Sequence, residues 1–239
     1  MTECTIVPGS LHLGTSGFAY PEWKGVFYPE GLKAREMLPY FASRFRSVEI
    51  NYTFRRHPSE KTLTGWRENA PPGFSFTLKA HQNITHRHRL ADPEEPVAFF
   101  MERARMLGDR LGVILFQCPP SLRFDRDRLE GFIKALPDSG RYAMEFRHAS
   151  WEEAREFLAE RGVAWCTAET DEQKAERDAW EPFGYLRLRK ETYTDEEIRR
   201  WADRIASAID AGHDVYCYFK HEEKGIGPVY AQRLAEILS

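Results

Sequence analysis

Charged and amide side chains recur at one kind of place in this chain, the end of a short run of Val, Ile, Phe, Leu or Tyr. Val48-Glu49-Ile50-Asn51 sets Glu49 and Asn51 two apart; Lys79 and His81, and Glu145 and Arg147, share that spacing. Gln117 ends a fourth run, Glu169 a sixth, Arg187 and Arg189 a seventh, and Tyr216, Tyr218 and Lys220 alternate through the last. A spacing of two places both members on one face of a β-strand. Carboxylates, an amine and guanidinium groups gathered this way can move protons and hold an anion. Burying them costs free energy unless they pair, so the mixture of signs demands a polar network.

Within that set Glu49 and Glu145 are the candidate acid–base pair, their pKa values set apart by unequal cationic neighbours. Lys79 is a candidate electrophile or Schiff-base amine, its pKa lowered by nearby cations. Arg56, His86, Arg147 and Lys220 are candidate anion holders, and Asn51, Gln117, Arg187 and Tyr218 complete the polar surface. Tyr20, Trp23 and Trp151 are candidate aromatic contacts for a substrate. The competing reading for Tyr20, Trp23 and their neighbours Phe18, Phe27 and Tyr28 is a hydrophobic plug. For the charges it is a salt-bridge layer that merely closes the fold.

Two adjacent loops are strongly basic, Thr53-Phe54-Arg55-Arg56-His57-Pro58 and Thr85-His86-Arg87-His88-Arg89. Lys224-Gly225-Ile226-Gly227, before the last helix, is a weak phosphate-binding signal. His81, His86 and His88 have a cluster spacing, but no H-E-x-x-H or paired Asp accompanies them, so no metal is expected. Ser16 lacks the G-x-S-x-G context of a nucleophile elbow. No cofactor is expected.

The elements that must position these groups alternate between β-rich and helical periodicity. Strands are expected over 11–16, 47–51, 74–80, 112–118, 142–147, 164–169, 183–189 and 214–219, several of them apolar on both faces as buried parallel strands are. Ser59 reads as a helix cap, and Ser150 with Glu153 and Thr194 with Glu197 as capping boxes. Val97, Phe100, Met101, Ala104 and Leu107 make one helical stripe, closed by Gly108. Ile198, Trp201, Ala202, Ile205 and Ile209 make another, ended by Gly212. A helix is expected to start near Pro39, where a missing N–H does no harm, and a last one to run over 229–238. Residues 169–181 read as a long loop with some helix. Eight strand-then-crossover units predict a (β/α)8 TIM-type barrel, one domain over residues 1–239. A doubly wound sheet is the alternative, but Gly14-Thr15-Ser16-Gly17 lacks the third glycine of a dinucleotide fingerprint. Barrel enzymes build their sites at the C-terminal ends of the strands, which is where the charges lie.

Composition narrows the function classes. With 34 Lys and Arg against 37 Asp and Glu in 239 residues, the chain is near neutral, unlike a general polyanion binder. Its 13% aromatic content excludes disorder. Cys4, Cys118, Cys166 and Cys217 form no C-x-x-C pair and read as small hydrophobes in a reducing compartment. With no leader pattern and no apolar run near twenty residues, a cytoplasmic protein away from membranes is expected.

At these strand ends the chain resembles the YecE-like proteins, domain-of-unknown-function family 72. The resemblance is carried by Gly14-Thr15-Ser16-Gly17, Tyr20-Pro21-Glu22-Trp23, Phe27-Tyr28-Pro29 and Val48-Glu49-Ile50-Asn51 with Thr53-Phe54. It continues through Lys79 with Thr85-His86, Gln117-Cys118-Pro119-Pro120, Glu145-Phe146-Arg147 with Ser150-Trp151, and Tyr218-Phe219-Lys220-His221. It covers the chain from about Leu11 onward and implies a TIM-type barrel, without implying a reaction. The departures are Arg55 where the family has Tyr, Glu169-Thr170-Asp171 where an Asp is usual, and a missing His-Gly element after the seventh strand.

The expected function is an enzyme acting on a small phosphate- or carboxylate-bearing substrate at the barrel mouth. The alternatives are a nucleic-acid-binding or -processing protein using the two basic loops, and a non-catalytic ligand-binding barrel.

Overall fold

A computed structural model of the chain describes residues 7–175, 177–220 and 225–239. Its eight strands are β1 (Leu11–Thr15), β2 (Ser47–Ile50), β3 (Ser75–Lys79), β4 (Leu111–Gln117), β5 (Arg141–Glu145), β6 (Val163–Glu169), β7 (Gly184–Leu188) and β8 (Val215–Phe219). Every strand pairing is parallel, in the order β1-β8-β7-β6-β5-β4-β3-β2. A parallel bridge between Ser16 and Glu49 joins the two outermost strands. The sheet therefore curls into the expected (β/α)8 barrel, and its closing seam falls beside Glu49. Gly14 permits that seam: a Cβ there would lie 1.8 Å from the Ser47 carbonyl oxygen.

Among the described residues seven α-helices wrap the outside: α1 (Met37–Ala42), α2 (Glu60–Asn69), α3 (Glu94–Ala104), α4 (Arg126–Lys134), α5 (Arg155–Glu160), α6 (Asp195–Asp210) and α7 (Ile226–Leu238). Ser59 caps α2, and Thr194 with Glu197 forms the capping box of α6. The expected box at Ser150 does not form. His148 caps a 3-10 turn there, while the Ser150 hydroxyl accepts from the Phe124 N–H at 2.9 Å. Pro39 sits in the first turn of α1 rather than at its start. Between β6 and β7 the described residues hold no helix, so the helical part expected over 169–181 is absent from them. The loop instead ends in a cis Glu181–Pro182 bond.

Outward strand side chains pack under the helices as the main core, and inward ones fill the barrel in layers. Val113, Leu115, Ala143, Ala164, Cys166, Tyr185 and Tyr218 form the packed interior. Cys118, Cys166 and Cys217 are free and buried, while Cys4 lies outside the described residues. No helix among the described residues is long and apolar enough to cross a membrane.

Candidate active site

The side chains on the inner faces of β2, β5 and β7 meet at the C-terminal end of the barrel, around Arg187. This guanidinium is buried, and it donates to Glu49 Oε1 at 2.8 Å and to Glu145 Oε2 at 2.5 Å. Both carboxylates are buried too. Three further donors converge on Glu49: the Ser16 hydroxyl at 2.8 Å, the Asn51 amide at 3.2 Å and the Tyr185 hydroxyl at 2.7 Å. Arg147 Nε donates to Glu145 Oε1 at 3.1 Å. Each carboxylate oxygen thus has a donor, which is what makes such deep burial tolerable.

Charge follows from these contacts. Burial alone would raise the Glu49 carboxyl, but Arg187 and the hydroxyl donors outweigh it and hold the group at about 2. Glu145 is lowered as well, with burial opposed by Arg187, Arg147 and Lys79. The two glutamates expected to divide acid and base roles instead share one guanidinium, and both stay ionised. What they do in this geometry is fix Arg187.

Lys79, at the end of β3, takes no part in that sharing. Its Nζ donates to Gln117 Oε1 at 2.6 Å and lies 4.3 Å from the centre of the Phe54 ring. Gln117 Nε2 is turned to the Cys118 carbonyl at 3.4 Å, leaving Oε1 toward the amine. Burial and the charge of Arg187, only partly offset by Glu145 and Glu49, bring this amine down to about 8. His86 meets the same Phe54 ring edge-on, with ring centres 4.9 Å apart. Burial, Lys79, Arg147 and Arg89 all lower its imidazole. A single π-helical turn, Asn83–Arg87, carries His86. Arg89, Leu90 and Asp92 follow with positive φ angles of 53°, 67° and 44°. Strained backbone of this kind holds only where its surroundings enforce it, and it clusters at functional sites. Arg89 is pinned by two bonds to Ser121, at 3.1 and 2.8 Å. Arg189 joins the mouth from β7, lowered by burial and by Arg187.

Other sequence candidates lie elsewhere. Tyr218 sits one layer below the mouth, buried, with its hydroxyl 2.7 Å from both Ser47 and Thr77. Trp151 is buried, stacked on Phe146 at 4.0 Å and donating to the Leu122 carbonyl at 2.7 Å. Trp23 is buried against Tyr20, Phe27 and Tyr28, and its ring lies beside Gly225. Trp23 and Trp151 are enclosed by neighbouring rings, and Phe18, Phe27 and Tyr28 of the loop after β1 pack against Tyr40 and Phe41 of α1. Tyr20 is half-buried, donating to the Ser16 carbonyl at 3.2 Å. Arg56 is exposed on the turn after β2 and takes no part in the Arg187 network. Lys220 is half-buried just beyond β8. His81 faces His57 in a 4.2 Å stack, away from Lys79, and Glu169 accepts from Trp201 of α6 at 3.0 Å. Among the described residues no group of three His, Cys, Asp or Glu side chains is placed to hold a metal. His221 and Lys224 of the eighth loop lie outside the described residues.

Three participants were not singled out from the sequence: Ser16, Phe54 and Tyr185. For Tyr185 the signal was present, since the period of two along β7 puts it on one face with Arg187, and the residue just beyond the strand, Arg189, continues that face.

The fold and the chain have relatives. A DUF72 family protein of Thermotoga maritima matches at TM-score 0.82 with 28% identity, covering 96% of this chain and 99% of that one. A DUF72 family protein of Enterococcus faecalis matches at TM-score 0.78 with 17% identity, over 95% of each chain. The UPF0759 protein YunF of Bacillus subtilis is 23% identical over 95% of this chain and 94% of its own length. Residues 12–239 match the family described as protein of unknown function DUF72, and the chain belongs to that family.

Proposed function

We propose that the protein is an enzyme acting on a small phosphate- or carboxylate-bearing substrate at the C-terminal mouth of the barrel. One observation carries this reading. Arg187 and Arg147 together engage the two buried carboxylates, so Lys79 and Arg189 stand at the mouth with no further carboxylate of the network to balance them. A cluster of that sign, walled by Phe54 and the barrel rim, favours an anion and strengthens its hold by excluding water. Arg147 and Arg189 bind the anionic group in this reading. Lys79, brought down to about 8, and His86, lowered by burial and by the cations around it, do the proton work that the glutamates are too acidic to do.

The test is thermal unfolding with inorganic phosphate and a panel of phosphorylated and carboxylated metabolites. A ligand at about ten times its Kd stabilises by about 1.4 kcal/mol, roughly 3–6 °C in a chain of this size. Arg147→Gln and Arg189→Gln should each remove most of that shift. An unmoved wild type, or a shift that both variants keep, rejects the reading. Stabilisation by single-stranded nucleic acid instead, collapsing with salt and lost on replacing Arg55, Arg56 and Arg87, would favour a polynucleotide ligand.

A further inference from the structure

We propose that Lys79 is an imine-forming nucleophile, and that the substrate carries an aldehyde or ketone carbonyl next to its anionic group. This rests on the anion-binding reading of the mouth and adds the reacting functional group.

The placement of the amine is the argument. A lysine with a structural role beside two buried carboxylates would pair with one of them. Here Ser16, Asn51, Tyr185 and Arg187 occupy the oxygens of Glu49, and Arg147 and Arg187 those of Glu145. No carboxylate oxygen among the described residues lies within 4.0 Å of Lys79 Nζ. Its hydrogen-bonding partner is Gln117 Oε1, a neutral acceptor, so one N–H is fixed and the rest of the nitrogen is left for the mouth. Phe54 covers one side of the amine, which limits water and so favours the dehydrated product. The neighbouring guanidinium groups of Arg187 and Arg147 discourage protonation, and the same groups draw in an anionic carbonyl compound. His86 packs edge-on against the same Phe54 ring that Lys79 lies over, which makes its imidazole the group assigned to move the protons.

The chemistry closes without a further reactant. The Lys79 lone pair forms a C–N bond to the carbonyl carbon while the C=O π pair moves to oxygen. His86 takes a proton from the nitrogen and returns one to the oxygen, giving a carbinolamine. As the nitrogen lone pair forms C=N, the carbinolamine's remaining N–H proton passes through His86 to the hydroxyl, which leaves as water. Amine and carbonyl have become imine and one water.

Reductive trapping on the wild-type protein tests this. Glycolaldehyde phosphate with sodium cyanoborohydride at pH 8 converts an imine to a stable secondary amine, located by peptide mass spectrometry. Lys79 should be labelled at least tenfold faster than the mean of the other lysines. Inorganic phosphate should suppress the labelling, and Arg147→Gln should slow it about tenfold. Intact-mass analysis of Lys79→Arg, with its fold checked by circular dichroism, should show the fast adduct gone. Label spread evenly over the lysines overturns the proposal. An unlabelled Lys79 in a protein that phosphate still stabilises overturns the imine and leaves the anion site standing. Equal labelling of Lys79 by glycolaldehyde and its phosphate, with no thermal shift from phosphate, overturns the anionic half of both readings.

Discussion

At the N-terminal end of the barrel Arg141 meets Asp214 at 2.8 Å, with both side chains open to water, 49% and 28% exposed. At the C-terminal end Arg187 meets Glu49 at the same 2.8 Å, with both side chains at or below 1%. The lower pair is part of a local closure. Asp214 also accepts from the Ser10 N–H, Arg141 reaches the Tyr216 hydroxyl, and His12 stacks on Tyr216 at 4.2 Å. The upper pair is the centre of a network with cations left over. Equal distances therefore conceal unequal energetics: a solvated pair contributes little, whereas a desolvated one is costly to break.

Replacing each arginine in turn should separate the two ends most widely. Arg187→Met leaves two buried carboxylates without their guanidinium and should destabilise by about 3–5 kcal/mol. Arg141→Met should cost about 1 kcal/mol or less. Urea midpoints for both variants decide it, and equal losses would mean that the mouth network is no more than a second surface bridge. Acid sharpens the point. Glu49 is held near 2 in the fold, below the ordinary carboxylate value of about 4.3, so its stabilising contribution is complete above that ordinary value. It drains away as the pH falls toward 2. In Arg187→Met that contribution is gone already, so the gap between variant and wild type should narrow between about pH 5 and 2.

Lys79→Met should move stability the other way. The amine is held near 8, below the unfolded lysine value of about 10.4. Below pH 8 both states are protonated and the fold carries the cost of a partly buried ammonium. Between 8 and about 10.4 the fold has released its proton while the unfolded chain has not, so stability rises with pH. Met keeps the volume and removes the charge. The variant should melt about 2–6 °C higher than wild type at pH 7, and the advantage should vanish above about pH 10.5. A variant that melts lower at pH 7 would make Lys79 a structural residue like those at the opposite end.

Much of the architecture could be read from the chain because period-two patterning and apolar strand faces survive in a barrel buried on both sides. The same rule brought Glu49, Lys79, Gln117, Glu145, Arg147 and Arg187 to one mouth. It failed where a strand stops or where depth matters. His81 and Glu169 continue the alternation on paper, but β3 ends at Lys79, and the outward face of β6 gives Glu169 to Trp201. Tyr218 has the right face at the wrong depth. Trp23 and Trp151 are large apolar rings first and hydrogen-bonding groups second, so the core claims them. The Ser150 signal lost to a competing cap at His148, one a spacing rule cannot see. Nothing local could have said that Glu49 and Glu145 would share Arg187, since that partition is settled across 138 and 42 residues of chain.

The smallest expected effect separates depth from the mouth. Tyr218 lies beneath Glu49 and bonds Ser47 and Thr77, whereas Tyr216 on the same strand lies at the lower end beside Arg141. In Tyr218→Phe the Ser47 hydroxyl keeps its bonds to Ser75, but the Thr77 hydroxyl is left buried without a partner. That should cost about 1 kcal/mol, near 2–4 °C. Tyr216→Phe removes a 3.1 Å bond from an arginine that retains Asp214, so its cost should be a few tenths of a kcal/mol. Neither change should alter the thermal shift produced by phosphate, because neither hydroxyl reaches the cations of the mouth. Loss of that shift in Tyr218→Phe would move the floor of the site one layer down the barrel and bring Ser47 and Thr77 into contact with the ligand. An unchanged shift with the larger stability loss at Tyr218 fixes the floor at Glu49 and leaves the hydroxyl layer as its support.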